Sequence, residues 1–146
     1  MMALTIPGPP QGKARARTRR NGHTYTPDNT VLYENLVKTE FLRQCGRQRL
    51  PGDIRPALAM EIVAVYPIPA SYPQRNKVAA LAGDLLPAKK PDADNVAKII
   101  ADALNGLAYI DDAQITDLSV MKRYGEDHEV RVKVWPIFTE ENEEKG

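Results

Sequence analysis

Apolar residues along the chain follow two spacings, one typical of strands and the other typical of helices. Runs that suit a strand are bounded by proline, glycine or polar turn residues. The four predicted strands are Met2–Ile6, Leu58–Tyr66, Gln114–Tyr124 and His128–Trp135. Only Gly125-Glu126-Asp127 separates the last two, and such a short polar link predicts a hairpin between them.

Helical spacing occurs twice. The first helix is predicted from Pro27-Asp28-Asn29 or Thr30 to about Gly46, with Leu32, Leu36, Val37 and Phe41 near helical intervals. The second is predicted over Asp94–Leu104, where apolar residues recur at steps of three and four and form one face. Asp94 stands where an N-cap belongs, and Asn105-Gly106 ends this helix.

The order of these elements predicts an α+β fold, with a small mixed sheet and helices packed on one face. One domain is expected over residues 1–138. Within it, residues 70–90 form a mobile insertion in which Arg75–Leu81 could be a short helix. Residues 139–146 are acidic and poor in apolar side chains, so a disordered tail is predicted.

Composition excludes several classes of protein. No run of about 18 apolar residues is present to span a membrane, and the first residues do not resemble a signal peptide. Cys45 is the only cysteine, so no disulfide can form within the chain, and a cytoplasmic protein is expected. We assign Cys45 no chemical role.

The formal net charge is only +1, but the charges are unevenly distributed. Residues 1–50 carry nine Lys and Arg against three Asp and Glu, whereas residues 101–146 carry five against eleven. Within residues 11–26, five basic side chains occur without an acidic one: Lys13, Arg15, Arg17, Arg19 and Arg20. This basic arm, residues 11–26, suits contact with nucleic-acid phosphates.

The segment Lys89–Lys98 carries the candidate chemistry. Asp92 and Asp94 are two residues apart, and Lys98 follows Asp94 by one helical turn. After the helix, Asp111-Asp112 could bring a third carboxylate back beside this pair. Clustered carboxylates repel one another unless a cation neutralises them, and Mg²⁺ prefers such oxygen ligands. A metal with a lysine can serve phosphodiester hydrolysis, which needs an activated water and relief of charge on the phosphate.

Each feature alone has a simpler explanation. Asp94 could be only a helix cap, Lys98 a surface ion pair with Asp94 or Asp102, and Asp111-Asp112 a turn. Their combination around one short helix favours a site. Two other motifs fail on detail: an EF-hand loop needs residues other than Val96 and Ala97, and sugar-nucleotide transferases place their Asp-x-Asp pair after an apolar strand in a larger domain.

The motifs resemble those of the RusA family of Holliday-junction resolvases, which are common in phages and prophages. The matching segments are Pro91-Asp92-Ala93-Asp94-Asn95-Val96-Ala97-Lys98, Asp102-Ala103-Leu104, Asp111-Asp112-Ala113-Gln114 and the opening Ile6-Pro7-Gly8-Pro9-Pro10. The resemblance implies a homodimeric α+β nuclease that makes paired nicks across four-way junctions. It also implies dependence on Mg²⁺, for which Mn²⁺ could substitute, and a role in recombination and repair.

The resemblance also implies roles for individual residues. Asp92, Asp94 and Asp112 match metal-binding carboxylates, Lys98 matches a catalytic lysine, and Asp111 matches a neighbouring acidic position that could also bind the metal. Asp102 matches a recurrent residue that could hold Lys98. The expected DNA contacts are Lys13, Arg15, Arg17, Arg19, Arg20, Lys89 and Lys90. Two alternatives stay open: a metal-dependent nuclease for flaps or single strands, and a junction-binding protein without catalysis.

Overall fold

The computed structural model describes residues 1–46 and 55–137, so the predicted tail at 139–146 lies outside the described residues. In chain order the elements are β1 (Met2–Pro7), β2 (Arg17–Thr18), β3 (Thr24–Tyr25), α1 (Asp28–Cys45), β4 (Leu58–Pro67), α2 (Gln74–Ala82), α3 (Ala93–Leu104), a 3₁₀ turn (Asp112–Gln114), β5 (Ile115–Gly125) and β6 (Glu129–Pro136). The predicted strands and both predicted helices are therefore confirmed. No helix among the described residues is long and apolar enough to cross a membrane.

The main sheet has four strands in the order β1-β6-β4-β5. It is mixed: β4 pairs in parallel with β5, whereas β6 is antiparallel to both β1 and β4. The parallel pair requires a long crossover connection, which the chain between Pro67 and Ile115 provides and which contains α2 and α3. Alternate residues of the strands join α1 and α3 in one apolar core, which confirms the α+β fold class.

The predicted hairpin between the last two strands is wrong, because β4 lies between β5 and β6. Two strand spacings amount to about 10 Å, and residues 126–128 are sufficient to cross that gap over the end of β4. Gly125 pairs with Pro67, and a Cβ atom at Gly125 would lie 2.5 Å from Cγ1 of Val65. A short polar link ordinarily predicts a hairpin, but here it spans an intervening strand.

The segment at 70–90, predicted to be a mobile insertion, contains α2. Its helix extends the predicted Arg75–Leu81 by one residue at each end and stops at Gly83, which is left-handed with φ +83°. Ala80 is buried in the core, and Tyr72 and Leu85 pack against it. Part of this segment is therefore an element of the fold.

Candidate active site

Asp92 and Asp94 lie at the start of α3, whose orientation is set by its apolar face. Val96, Ile99 and Ile100 are fully buried, and this burial fixes the rotation of the helix about its axis. The opposite face, with Asp94 and Lys98, is exposed. The spacing of apolar residues thus determines which side chains of the motif face solvent.

Helix α3 begins one residue earlier than the sequence predicted. Ala93 is its first helical residue, so Asp92 occupies the N-cap position and Asp94 lies in the first turn. The prediction of Asp94 as the N-cap is therefore wrong. The Asp92 side chain makes no capping hydrogen bond, and both carboxylates are exposed. The helix dipole stabilises negative charge at these positions, while the carboxylate oxygens stay available to a ligand.

Lys98 lies on the exposed face of α3, one turn after Asp94 and one turn before Asp102. Over residues 1–46 and 55–137, no ion pair joins Lys98 to either carboxylate; Asp102 pairs instead with Lys13, at 3.3 Å. The simpler explanation of Lys98, a surface ion pair along the helix, does not describe this structure. Its amine is open to an anionic ligand.

A capping box holds the turn that carries the second acidic motif. The Asp111 side chain accepts a hydrogen bond from the Ala113 amide at 3.1 Å. The Gln114 side chain accepts from the Asp111 amide at 3.1 Å and donates to the Pro56 carbonyl, also at 3.1 Å. The neighbouring Asp112 amide donates to the Asn105 side chain at 3.2 Å. Asp111 therefore has a structural role in this turn, and Asp112 is fixed close to the end of α3.

The two adjacent aspartates differ in their electrostatics. The Ala113 amide, followed by a hydrogen bond with Asp112, lowers the pKa of Asp111. Burial, followed by the neighbouring Asp111 and then the charge of Asp102, raises the pKa of Asp112, which Lys98 partly offsets. The Asp112 carboxylate thus lies in an acidic environment, where a cation would stabilise its ionised form.

The predicted metal ligands divide into two places rather than one compact cluster. Asp92 and Asp94 stand at the start of α3. The negative charges that act on Asp112 are those of Asp102, towards the end of the same helix, and of Asp111, which follows the helix. No three His, Cys, Asp or Glu side chains among the described residues form a group that could hold a metal ion. The donor chemistry still fits Mg²⁺, which commonly takes one or two protein carboxylates together with substrate phosphates.

A cleft of about 350 Å³ lies beside Asp92. The residues that line it are Pro10, Gln11, Gly12, Lys13, Lys90, Pro91, Asp92 and Asn95. Gly12 is needed for the close approach of the N-terminal segment, because a Cβ atom there would lie 3.0 Å from Cβ of Pro91 and 3.1 Å from Cβ of Asn95. Gln11, Gly12 and Asn95 were not predicted as site residues. The available signals were the glycine that precedes the basic residues and the place of Asn95 within the acidic motif.

Lys122 is another residue near the site that the sequence reasoning missed. Its amine donates to the Lys89 carbonyl and lies 5.2 Å from the centre of the Tyr66 ring. Lys122 shares its side of β5 with Val120 and Tyr124, which contact the core. The signal available in the sequence was a lysine at a strand position that shares its side of the sheet with core residues. Lys89 lies 5.5 Å from the centre of the Tyr124 ring, while Lys90 lines the cleft.

Tyr66, Tyr72 and Tyr109 could in principle stack on DNA bases, but from the sequence we expect core or interface packing, and they do pack within the protein. Tyr66 and Tyr109 are buried, and Tyr72 meets Tyr124 edge-on with a centroid separation of 6.1 Å. The Tyr66 hydroxyl donates to the Pro91 carbonyl at 2.6 Å and so holds the residue preceding Asp92. Burial, then the charge of Asp92, raises the pKa of Tyr66 to about 12. The packing interpretation is confirmed for these residues.

The basic arm folds in part as a two-stranded ribbon. Arg17 pairs with Tyr25 across β2 and β3, and the Arg19 guanidinium lies 4.8 Å from the centre of the Tyr25 ring. Four arginines of the arm are exposed: Arg15, Arg17, Arg19 and Arg20. Lys13 differs from them, because its amine contacts Glu34 and Asp102. The arm thus presents the arginines to solvent while its first lysine is held by the domain.

Two comparisons place the chain among known sequences. A family model described as "Endodeoxyribonuclease RusA" matches residues 7–135. A Bacillus subtilis (strain 168) protein named "Uncharacterized protein YqaN" is 33% identical over 136 residues, which cover 90% of this chain and 93% of the relative. The family match includes the cleft residues and the acidic segments of α3 and the 3₁₀ turn, so the similarity extends well beyond the motif itself.

Proposed function

Because this chain belongs to the RusA family of endodeoxyribonucleases, we propose that it resolves four-way DNA junctions with the help of Mg²⁺. The observation that carries the proposal is the exposed start of α3. There Asp92 and Asp94 present carboxylates to solvent, and Lys98 follows one turn later without an ion pair among the described residues. Such an arrangement suits a phosphodiester that approaches together with its cation.

We assign each of these side chains a distinct role. We assign Asp92 and Asp94 as the ligands for Mg²⁺ at the start of α3, and Asp112 as a further ligand that this structure holds apart from them, on the turn that Asp111 fixes through its capping hydrogen bond. The cation, when bound, supplies Lewis acidity towards the scissile phosphate. Lys98 contributes positive charge to the phosphate oxygens, where negative charge grows during cleavage. With these roles, phosphodiester hydrolysis does not require a nucleophilic side chain of the protein.

DNA binding belongs to the basic surface around this site. The exposed arginines of the arm suit contacts with backbone phosphates, which give affinity without reading sequence. Lys90 lines the cleft next to Asp92, and Lys89 precedes it, which supports our proposal that these lysines contact the strand that is cut. An activity of this kind belongs in the cytoplasm, where prophage and host DNA recombine.

The proposal is tested by incubating the purified chain with a synthetic four-way junction, a duplex of matched sequence and a flap substrate. We expect cleavage of the junction in Mg²⁺, weaker or no cleavage of the duplex, and no products in EDTA. Mn²⁺ is expected to restore activity after chelation, because it accepts similar oxygen ligands. Preferred cutting of the flap would favour the flap-nuclease alternative, and tight junction binding without cleavage would favour the non-catalytic one.

We further propose that the working form is a homodimer. A four-way junction has approximate two-fold symmetry, and a two-fold dimer presents a matched pair of sites to its opposed strands. Light scattering at micromolar concentration is expected to give about twice the chain mass of 16.2 kDa. A chain that stays monomeric even on junction DNA would remove the basis for paired nicks and favour a flap or single-strand nuclease.

Mixed dimers provide a sharper test of paired nicking. Dimers of one wild-type and one Asp94→Asn chain, separated by two different affinity tags, are expected to nick a supercoiled cruciform plasmid without linearising it. Wild-type dimers carrying the same tags should linearise the plasmid within one binding event. Linear product from the mixed dimer at the wild-type rate would contradict the paired-site proposal.

A further inference from the structure

Lys13 makes three contacts that bring distant parts of the chain together. Its amide donates to the Asn95 carbonyl in α3 at 2.9 Å. Its amine contacts Glu34 of α1 at 2.5 Å and Asp102 of α3 at 3.3 Å. The residue thus connects the beginning of the basic arm to both helices of the core.

The environment of Lys13 sets it apart from the arginines that follow it. The side chains of Lys13, Glu34 and Asp102 are 21%, 17% and 31% exposed, so the ion pairs are partly shielded from water. Gly12, the preceding residue, fits closely against Pro91 and Asn95. An amine already engaged by two carboxylates in a close-packed segment is poorly placed to bind a phosphate.

Asp102 connects this network to the candidate active site. It lies on α3, the helix whose start carries Asp92 and Asp94, and its carboxylate is 3.3 Å from the Lys13 amine. Asp102 also lies one turn after Lys98 on the same helix. A cation that pairs with Asp102 therefore influences the placement of the exposed face of α3, which carries Asp94 and Lys98.

We propose that Lys13 is a positioning residue that holds the polar face of α3 against α1 and the root of the arm, and that it does not contact DNA. This inference rests on the proposed nuclease function. Without the lysine, Glu34 and Asp102 lose the cation between them, and their mutual repulsion acts on the packing of α1 against α3. The cleft beside Asp92 would then lose its fixed shape, because Gly12 and Asn95 form part of it.

The principal test compares Lys13→Met with the wild type in single-turnover cleavage of a four-way junction. At saturating protein, we expect the cleavage rate to fall by about 10- to 100-fold, the loss that a small misplacement of catalytic groups produces. Junction affinity and its salt dependence should be unchanged, because no phosphate contact is removed. Lys13→Arg should recover most of the rate, since a guanidinium can pair with both carboxylates.

A second variant distinguishes positioning from a general loss of structure. In Lys13→Met combined with Glu34→Gln, one of the two repelling carboxylates is neutralised, so the cleavage rate should rise above that of Lys13→Met alone. Arg43→Met is the matched control, because it removes an ion pair with Glu40 on the exposed side of α1. Its cleavage rate should equal that of the wild type.

A different result for Lys13→Met would contradict the positioning role. If Lys13→Met cleaves at the wild-type rate when saturated, but its log–log salt slope falls by about one, Lys13 is a phosphate contact and the proposal is wrong. Failure of the wild type to cut junctions contradicts the proposed function instead. A double-mutant cycle of unfolding free energy with Lys13→Met and Asp102→Asn needs no activity, and absence of coupling there would overturn the ion-pair role.

Discussion

Replacing Asp94 with Asn is expected to reduce the rate of junction cleavage by more than about 100-fold, since loss of metal-assisted charge stabilisation costs several kcal/mol. The substitution removes one charge and almost no volume. Asp94 is exposed in the first turn of α3, so the fold should be retained. Junction binding should persist, because the arginines of the arm are untouched. Gel shift in Ca²⁺ and single-turnover cleavage in Mg²⁺ measure the two properties separately.

Asp28→Asn provides the matched control for this prediction. Asp28 is likewise an exposed acid in the first turn of a helix, in this case α1. Both substitutions remove the same favourable interaction with a helix dipole, worth about 0.3–1 kcal/mol. Only Asp94→Asn should abolish cleavage. Near-normal cleavage by Asp94→Asn in Mg²⁺ would mean that Asp94 only stabilises the helix, and Asp92 and Asp112 would have to serve without it.

Changing Arg15, Arg17, Arg19 and Arg20 together to Gln is expected to weaken junction binding and flatten its dependence on salt. Each lost phosphate contact lowers the log–log slope by about one, so a decrease of up to about four is expected. The arginines are exposed, and the β2–β3 ribbon positions two of them around Tyr25. Fluorescence anisotropy with labelled junction at several salt concentrations gives the slope directly.

The matching control removes arginines from elsewhere on the surface. Arg43 and Arg131 are exposed residues in local ion pairs, with Glu40 and Glu129 respectively. Changing both to Gln should leave the slope as in the wild type. A quadruple variant whose slope also stays at the wild-type value would show that the arm does not touch DNA. The contacts would then have to come from other cations near the cleft, such as Lys90.

Lys13 and Lys122 are basic residues near the site whose amines contact other groups of the protein. By sequence, Lys13 is the first of five cations in the arm, yet its amine contacts Glu34 and Asp102 within the domain. Lys122 was not singled out, although its amine holds the Lys89 carbonyl beside Tyr66. Positive charge at this surface thus serves two purposes. The exposed arginines suit DNA, whereas these lysines hold together the segments around Asp92.

Local patterns were sufficient to predict the four strands of the main sheet and helices α1 and α3, but not the β2–β3 ribbon within the basic arm. Helix α3 follows from its buried residues at steps of three and four, because helical geometry places them on one face. The same geometry puts Asp94 and Lys98 together on the exposed face. The strands follow from short apolar runs between turn residues. The family could also be recognised, because its acidic motifs lie close together in the sequence.

Tertiary structure alone decided which of these elements are neighbours. β4 separates β5 from β6, although the short link between them indicated a hairpin. Lys13 pairs with Asp102, which is 89 residues away, rather than Asp102 with nearby Lys98. A sequence pattern reports the spacing of residues along one element, which backbone geometry fixes. Contacts between elements depend instead on how all the apolar faces are buried together, and no single segment contains that information.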